Sequence, residues 1–152
     1  MTNRVLIVED DLALRPFWEL ILRRQFIEYH LDWAISCEEA ERLIASSVKY
    51  DSTYCLIVTD LFLAGSATGL DLVHFIGKNQ EHTPLIMVSS ADENAIRHSY
   101  RDSVKDIHVL SKPLSVPKIE RVFEKLFSLG LSPRPSGGEA WQGLSSRNRK
   151  SS

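Results

Sequence analysis

Four polar clusters in this chain each follow directly on a short apolar run. They are Glu9-Asp10-Asp11 after Val5-Leu6-Ile7-Val8, Asp60 after Leu56-Ile57-Val58-Thr59, Ser89-Ser90 after Leu85-Ile86-Met87-Val88, and Ser111-Lys112-Pro113 after Ile107 to Leu110. Adjacent carboxylates repel unless a cation compensates them. Mg²⁺ does this with a near-octahedral oxygen shell, few protein ligands, retained waters and phosphate oxygens. Asp10 and Asp60 can supply two ligands, with Glu9 holding a coordinated water. An Asp carboxylate is also a nucleophile that forms an acyl phosphate. Phosphoryl transfer then needs mainly positioning and charge neutralisation. Lys112 would pair with one phosphoryl oxygen as a point charge, and the Ser89 hydroxyl would donate to another.

Taken singly, each residue has a plainer reading. An Asp at a strand end is usually a turn or cap residue, a Lys before Pro is usually solvated, and a Ser there usually caps a helix. Glu9-Asp10-Asp11 alone would favour the start of a helix through its dipole. The four together are a coherent set, because each falls at the end of a different strand.

The elements that must position them follow from the periodicity. Continuous apolar runs fit strands buried on both faces, as in a parallel sheet. Leu31, Trp33 and Ile35 alternate with other residues, which places that strand nearer an edge. Between the runs lie helical patterns. Residues 12–29 carry Leu14, Phe17, Trp18, Ile21 and Leu22, with Pro16 near the start, where a helix tolerates it. Ser36-Cys37-Glu38-Glu39 and Ser90-Ala91-Asp92-Glu93 read as capping boxes, the second opening a helix over 95–103. Residues 69–78 supply Leu72, Val73 and Ile76. Ser115 and Pro117 open the last helix, and Gly130 suits its end. Five strands alternating with five helices predict an α/β fold with helices on both faces of a parallel sheet. Ligands in such folds collect at the carboxyl ends of the strands.

A chain of 152 residues is expected to form one domain, here 1–130, followed by a flexible tail or linker, 131–152, rich in Ser, Gly, Pro and Arg. The net charge of −2 argues against nucleic-acid binding through bulk positive charge. The two cysteines, Cys37 and Cys55, form no metal or C-x-x-C spacing and are expected to be reduced, buried thiols. No stretch approaches the ~20 apolar residues of a membrane span, and no secretory signal is visible. The expected location is the cytoplasm. The five histidines show no metal spacing.

The motifs Val8-Glu9-Asp10-Asp11, Thr59-Asp60-Leu61, Gly69-Leu70, Val88-Ser89-Ser90 and Ser111-Lys112-Pro113 resemble those of the receiver domain of bacterial two-component response regulators, of the single-domain chemotaxis type, over about residues 3–130. The resemblance implies a flavodoxin-like, doubly wound five-stranded sheet of order 2-1-3-4-5. It implies Asp60 as phosphoacceptor and Glu9, Asp10, Asp60 and the backbone carbonyl of Phe62 as the Mg²⁺ site. Ser89 matches the switch hydroxyl and Lys112 the phosphate-sensing lysine. A cis Lys112-Pro113 bond is implied too, at a position where cis bonds occur. The phosphoryl donor would be a sensor histidine kinase or a histidine phosphotransfer protein. Output would run to a downstream protein or a homodimer through the face of helix 4, strand 5 and helix 5. Such a protein is a switch rather than an enzyme, and at most catalyses its own phosphorylation and slow dephosphorylation.

The chain departs from the family where most receivers carry an aromatic three residues before the lysine, since Val109 stands there. Phe62 and Ala91, each two residues after Asp60 or Ser89, cannot orient a water, and slow self-dephosphorylation is expected. Among rivals, a haloacid-dehalogenase-type phosphatase wants a second acid where Phe62 stands, and Gly65-Ser66-Ala67-Thr68-Gly69 is not a nucleophile elbow. Two readings remain beside the single-domain switch: a receiver portion of a longer DNA-binding regulator, and a phosphorylation-independent interaction module.

Overall fold

The computed structural model describes residues 2–63, 65, 67–79, 82–104 and 107–128. Five parallel strands, β1 (Asn3–Val8), β2 (Tyr29–Ala34), β3 (Leu56–Asp60), β4 (Leu85–Ser89) and β5 (His108–Ser111), form one sheet of order β2-β1-β3-β4-β5. This is the flavodoxin-like order that the resemblance implied. The helices are α1 (Arg15–Gln25), α2 (Cys37–Lys49), α3 (Gly69–Asn79), α4 (Glu93–Ser99) and α5 (Val116–Ser128).

Alternation along the strands feeds two cores. Val5, Ile7, Leu56, Val58, Ile86, Val88 and Leu110 pack on α1 and α5 through Trp18, Ile21, Leu22, Ile119, Val122, Phe123 and Leu126. Leu6, Val8, Ala34, Ile57, Met87 and Val109 face the other way, onto α2, α3 and α4 through Ala40, Ile44, Leu72, Ile76 and Ile96. Each Val, Leu, Ile, Met or Phe side chain among them, once fully buried, contributes about 1.5–3 kcal/mol by area. A strand buried on both faces cannot alternate with polar residues, which is why the runs are continuous.

The register fixes the rim. Val8 lies beside Ala34 and Thr59, Asp60 beside Val88, and Ser89 beside Ser111. Glu9, Asp60, Ser89 and Lys112 therefore end up at one edge of the sheet.

Several local expectations change. The first helical stretch opens with a 3-10 turn, Leu12–Leu14, and α1 stops at Gln25, so Tyr29 starts β2 instead. Ser36 caps α2 as expected: its Oγ accepts from Glu39 N at 3.2 Å, and Glu39 Oε2 accepts in return from Ile35 N at 3.1 Å. Ser90 does not cap α4. Asp92 does, its Oδ1 accepting from Asn94 N at 2.9 Å and Ala95 N at 3.3 Å. The helix expected over 95–103 breaks at Tyr100, and a further turn, Arg101–Val104, carries Val104 into the core. Arg97 holds this break, donating to Val104 O at 3.2 Å, Ile107 O at 3.1 Å and Glu93 Oε1 at 3.0 Å. Cys37 is buried, but Cys55 is only half-buried. Both thiols are free, and burial pushes both up to about 12, so neither is a thiolate at neutral pH. No helix among the described residues is long and apolar enough to cross a membrane. Gly130, the boundary at residue 130 and the segment 131–152 lie outside the described residues.

Candidate functional site

The first strand delivers Glu9 and Asp10 to the rim by different means. Glu9 is buried, its N–H donating to Ala34 O at 2.9 Å. Its Oε1 accepts from Asp11 N at 3.0 Å, and its Oε2 from Lys112 Nζ at 3.1 Å. Asp10 is exposed. Asp11 takes the plainer role, its Oδ1 accepting from Ala13 N at 3.0 Å to cap the 3-10 turn.

Asp60 ends β3 and is also buried. Its Oδ2 accepts from Lys112 Nζ at 2.9 Å and its Oδ1 from Phe62 N at 3.2 Å. Gly69 lies tight against the backbone here. A Cβ at that position would fall 2.2 Å from Asp60 O and 2.9 Å from Leu61 Cα, so only glycine fits. Gly69 N also donates to Leu61 O at 2.9 Å, which closes the loop carrying Phe62. The Phe62 side chain is 56% exposed, outside the core and beside the acid.

Ser89 is fully buried at the end of β4. Its Oγ accepts from Ala91 N at 3.1 Å, and its carbonyl accepts from Lys112 N at 2.7 Å. That second bond ties the lysine backbone to β4. Ser111 Oγ donates to Ala91 O at 3.1 Å, and the Lys112-Pro113 bond is cis, as the resemblance implied.

Carboxylate oxygens of Glu9, Asp10 and Asp60 lie within 4.8 Å of one another. At that spacing they can share one small cation, directly or through a coordinated water. A cation there would favour the charged forms of these acids. Burial pushes the Glu9 carboxyl up to about 7, and the charge of Asp60 adds to this, against the Asp11 N–H and Lys112. Burial alone would lower the Lys112 ammonium, but the bonds from Asp60 and Glu9 outweigh it and raise it. One lysine thus stands between two buried acids, with a third acid alongside.

All the side chains singled out from the sequence, Glu9, Asp10, Asp60, Ser89 and Lys112, lie at this rim. Two participants were not foreseen. Gly69 was noted as a motif without its packing role. The Trp33 indole donates to Glu9 O at 2.9 Å, where the sequence pattern marks only a strand residue.

A doubly wound sheet with acids, a hydroxyl and a lysine at the ends of its strands defines the receiver class of signalling domain. Residues 5–124 match the family model for the response regulator receiver domain, and the chain belongs to that family. Solved structures agree on the fold. The non-phosphorylated HemR receiver domain from Leptospira biflexa is 24% identical, with a TM-score of 0.66, over 84% of this chain and 95% of its own. The receiver domain of a sensor histidine kinase from Pseudomonas aeruginosa, with a magnesium ion coordinated in its active-site cleft, is 19% identical, with a TM-score of 0.63, over 82% and 97%. TrrA from Thermotoga maritima, in complex with Mg²⁺ and a beryllofluoride, is 21% identical, with a TM-score of 0.63, over 82% and 99%. No curated protein matches the sequence.

Proposed function

We propose that this receiver domain accepts a phosphoryl group on Asp60, with Mg²⁺, from a sensor histidine kinase or a histidine phosphotransfer protein. The observation that carries the reading is Lys112 Nζ, 2.9 Å from Asp60 and 3.1 Å from Glu9, beside a third carboxylate. Glu9, Asp10 and Asp60, with the Phe62 carbonyl, would hold Mg²⁺; two of the similar solved structures contain magnesium, one of them in its active-site cleft. Bound there, the ion neutralises charge on the acids and the incoming phosphoryl oxygens.

The chain's own residues do the rest. An Asp60 carboxylate oxygen attacks phosphorus, forming the acyl phosphate as the bond from phosphorus to the donor breaks. Lys112 releases its contact with Asp60 and pairs with a phosphoryl oxygen. Ser89, buried one strand away, turns its hydroxyl from the Ala91 amide toward another. These contacts exist only with the phosphoryl group present, so they shift the population toward an arrangement in which α4 and its neighbours present a different surface. That surface, α4, β5 and α5, contacts the downstream protein or a second copy. The domain is a switch, and its catalysis is confined to its own aspartate.

Incubation with Mg²⁺ and acetyl phosphate tests this. Intact mass should rise by one phosphoryl group in the wild type and not at all in Asp60→Asn. A folded wild type that gains no adduct and binds no Mg²⁺ would instead act as a phosphorylation-independent module. The adduct should also be long-lived, since Phe62 and Ala91 offer no group to orient an attacking water. Phe62→Asn should hasten its loss about tenfold, about 1.4 kcal/mol of barrier. Wild-type loss within seconds, with no phosphatase present, would contradict this.

A further inference from the structure

Strand β1 runs out of ladder partners just where the acids begin. Val8 lies beside Ala34, the last residue of β2, and Glu9 N still reaches Ala34 O at 2.9 Å. The next group along, the Glu9 carbonyl, has no strand left to meet. A side chain meets it instead: the Trp33 indole N–H donates to that oxygen at 2.9 Å.

That carbonyl belongs to the peptide joining Glu9 to Asp10, so fixing its direction fixes the plane from which Asp10 departs. The two acids differ in what else orients them. The Glu9 side chain is held by Lys112 Nζ and Asp11 N. The Asp10 side chain is exposed and has no hydrogen bond or ion pair among the described residues. Its aim comes from the backbone alone. The indole is itself held in place, partly buried against the core beneath α1, with the Arg15 guanidinium 5.8 Å from its ring centroid and Arg15 Nε bound to Glu19 Oε1 at 3.1 Å.

We propose that Trp33 is a positioning residue of the metal site: its indole N–H sets the Glu9-Asp10 peptide and thereby the affinity for Mg²⁺. This rests on the metal-site reading above and deepens it. Partners that orient a metal's ligands typically govern affinity by 10–100-fold, and a backbone anchor for one of three carboxylates belongs at the low end of that range.

The test replaces only the donor. Substitution of Trp33 by benzothienylalanine puts sulfur where the N–H stands and keeps the shape of the rings. Trp33→Phe removes the donor and one ring. Mg²⁺ alone is titrated by calorimetry at pH 8, with thermal unfolding in chelator measured alongside. The sulfur isostere should bind Mg²⁺ about tenfold more weakly while unfolding near the wild-type temperature. Trp33→Phe, if folded, should weaken binding at least as much. A merely structural role would lower the unfolding temperature and leave the Mg²⁺ Kd alone. An isostere with the wild-type Kd overturns the role of Trp33 and leaves the metal site standing. A wild type that binds no Mg²⁺ overturns both.

Discussion

Strand β1 carries charge toward both of its ends, Arg4 at one and Glu9-Asp10 at the other. Away from the rim, on the α2 side, Arg4 donates to Asp32 Oδ2 at 2.7 Å, to Ser52 O at 2.6 Å, to Ser52 Oγ at 3.0 Å and to Tyr54 OH at 3.3 Å. Its guanidinium also lies 4.7 Å from the Tyr54 ring centroid. Asp32 accepts in addition from Tyr54 OH at 2.6 Å and lies 2.9 Å from His30 Nε2. Burial opposes its charge, but the bonds from Tyr54, Arg4 and His30 prevail, and its carboxyl sits below the usual range. At the rim the balance reverses. Burial and Asp60 carry Glu9 up to about 7 although Lys112 touches both acids. The Arg4 cluster is complete as it stands, whereas the rim is short of positive charge. The Arg4 cluster satisfies its acid, whereas the rim holds acids in excess of cations, a pattern met more often at functional sites than elsewhere.

That contrast can be broken most forcefully through pH. The Glu9 carboxyl moves from an ordinary 4.5 to about 7 on folding, which favours its protonated form. Its contribution to stability is therefore fully present below about pH 4.5 and is lost as pH rises through about 7. The loss is about 3 kcal/mol at most, from 1.36 kcal/mol per pKa unit. Urea unfolding in chelator, wild type against Glu9→Gln, should show the variant gaining on the wild type between pH 5 and pH 8. Parallel curves would sink the claim that burial and Asp60 disfavour the Glu9 charge.

Next in size is Asp32→Asn. It strips charge from a partly buried, multiply bonded network and should destabilise by about 2 kcal/mol, with the Mg²⁺ Kd unchanged within about twofold. A shift in Mg²⁺ binding would mean that the two clusters are coupled. The smallest effect has the opposite sign. Asp60→Asn relieves repulsion between buried acids and should stabilise the metal-free protein at pH 8 by about 1 kcal/mol. An equal loss from both Asp→Asn variants in chemical unfolding would erase the distinction between the clusters.

The same two regions separate what could be read in the sequence from what could not. The acids, Ser89 and Lys112 were legible because strand ends are marked by the switch from apolar to polar, and a parallel sheet gathers those ends on one edge. The Arg4 cluster was not, since Arg4, Asp32 and Tyr54 lie in or beside three different strands and share no spacing. The Trp33 bond escaped for a similar reason: an indole in a strand reads as apolar mass, and its N–H declares itself only once a carbonyl is left over. Asp92 displaced Ser90 as the cap of α4 because two capping residues stood within one turn, and local pattern could not rank them. The break at Tyr100 accompanies the burial of Val104, a tertiary contact that no helical periodicity records.

Arg97 gives that break a mechanical meaning. A single planar fork grips the end of the turn Arg101–Val104 and the approach to β5, while its own stem rides on α4. The joint is therefore riveted, and α4 cannot slide without pulling the entrance of β5 along or tearing two bonds free. Were α4 to shift as proposed for the phosphorylated state, this fork would carry the entrance of β5 along with it.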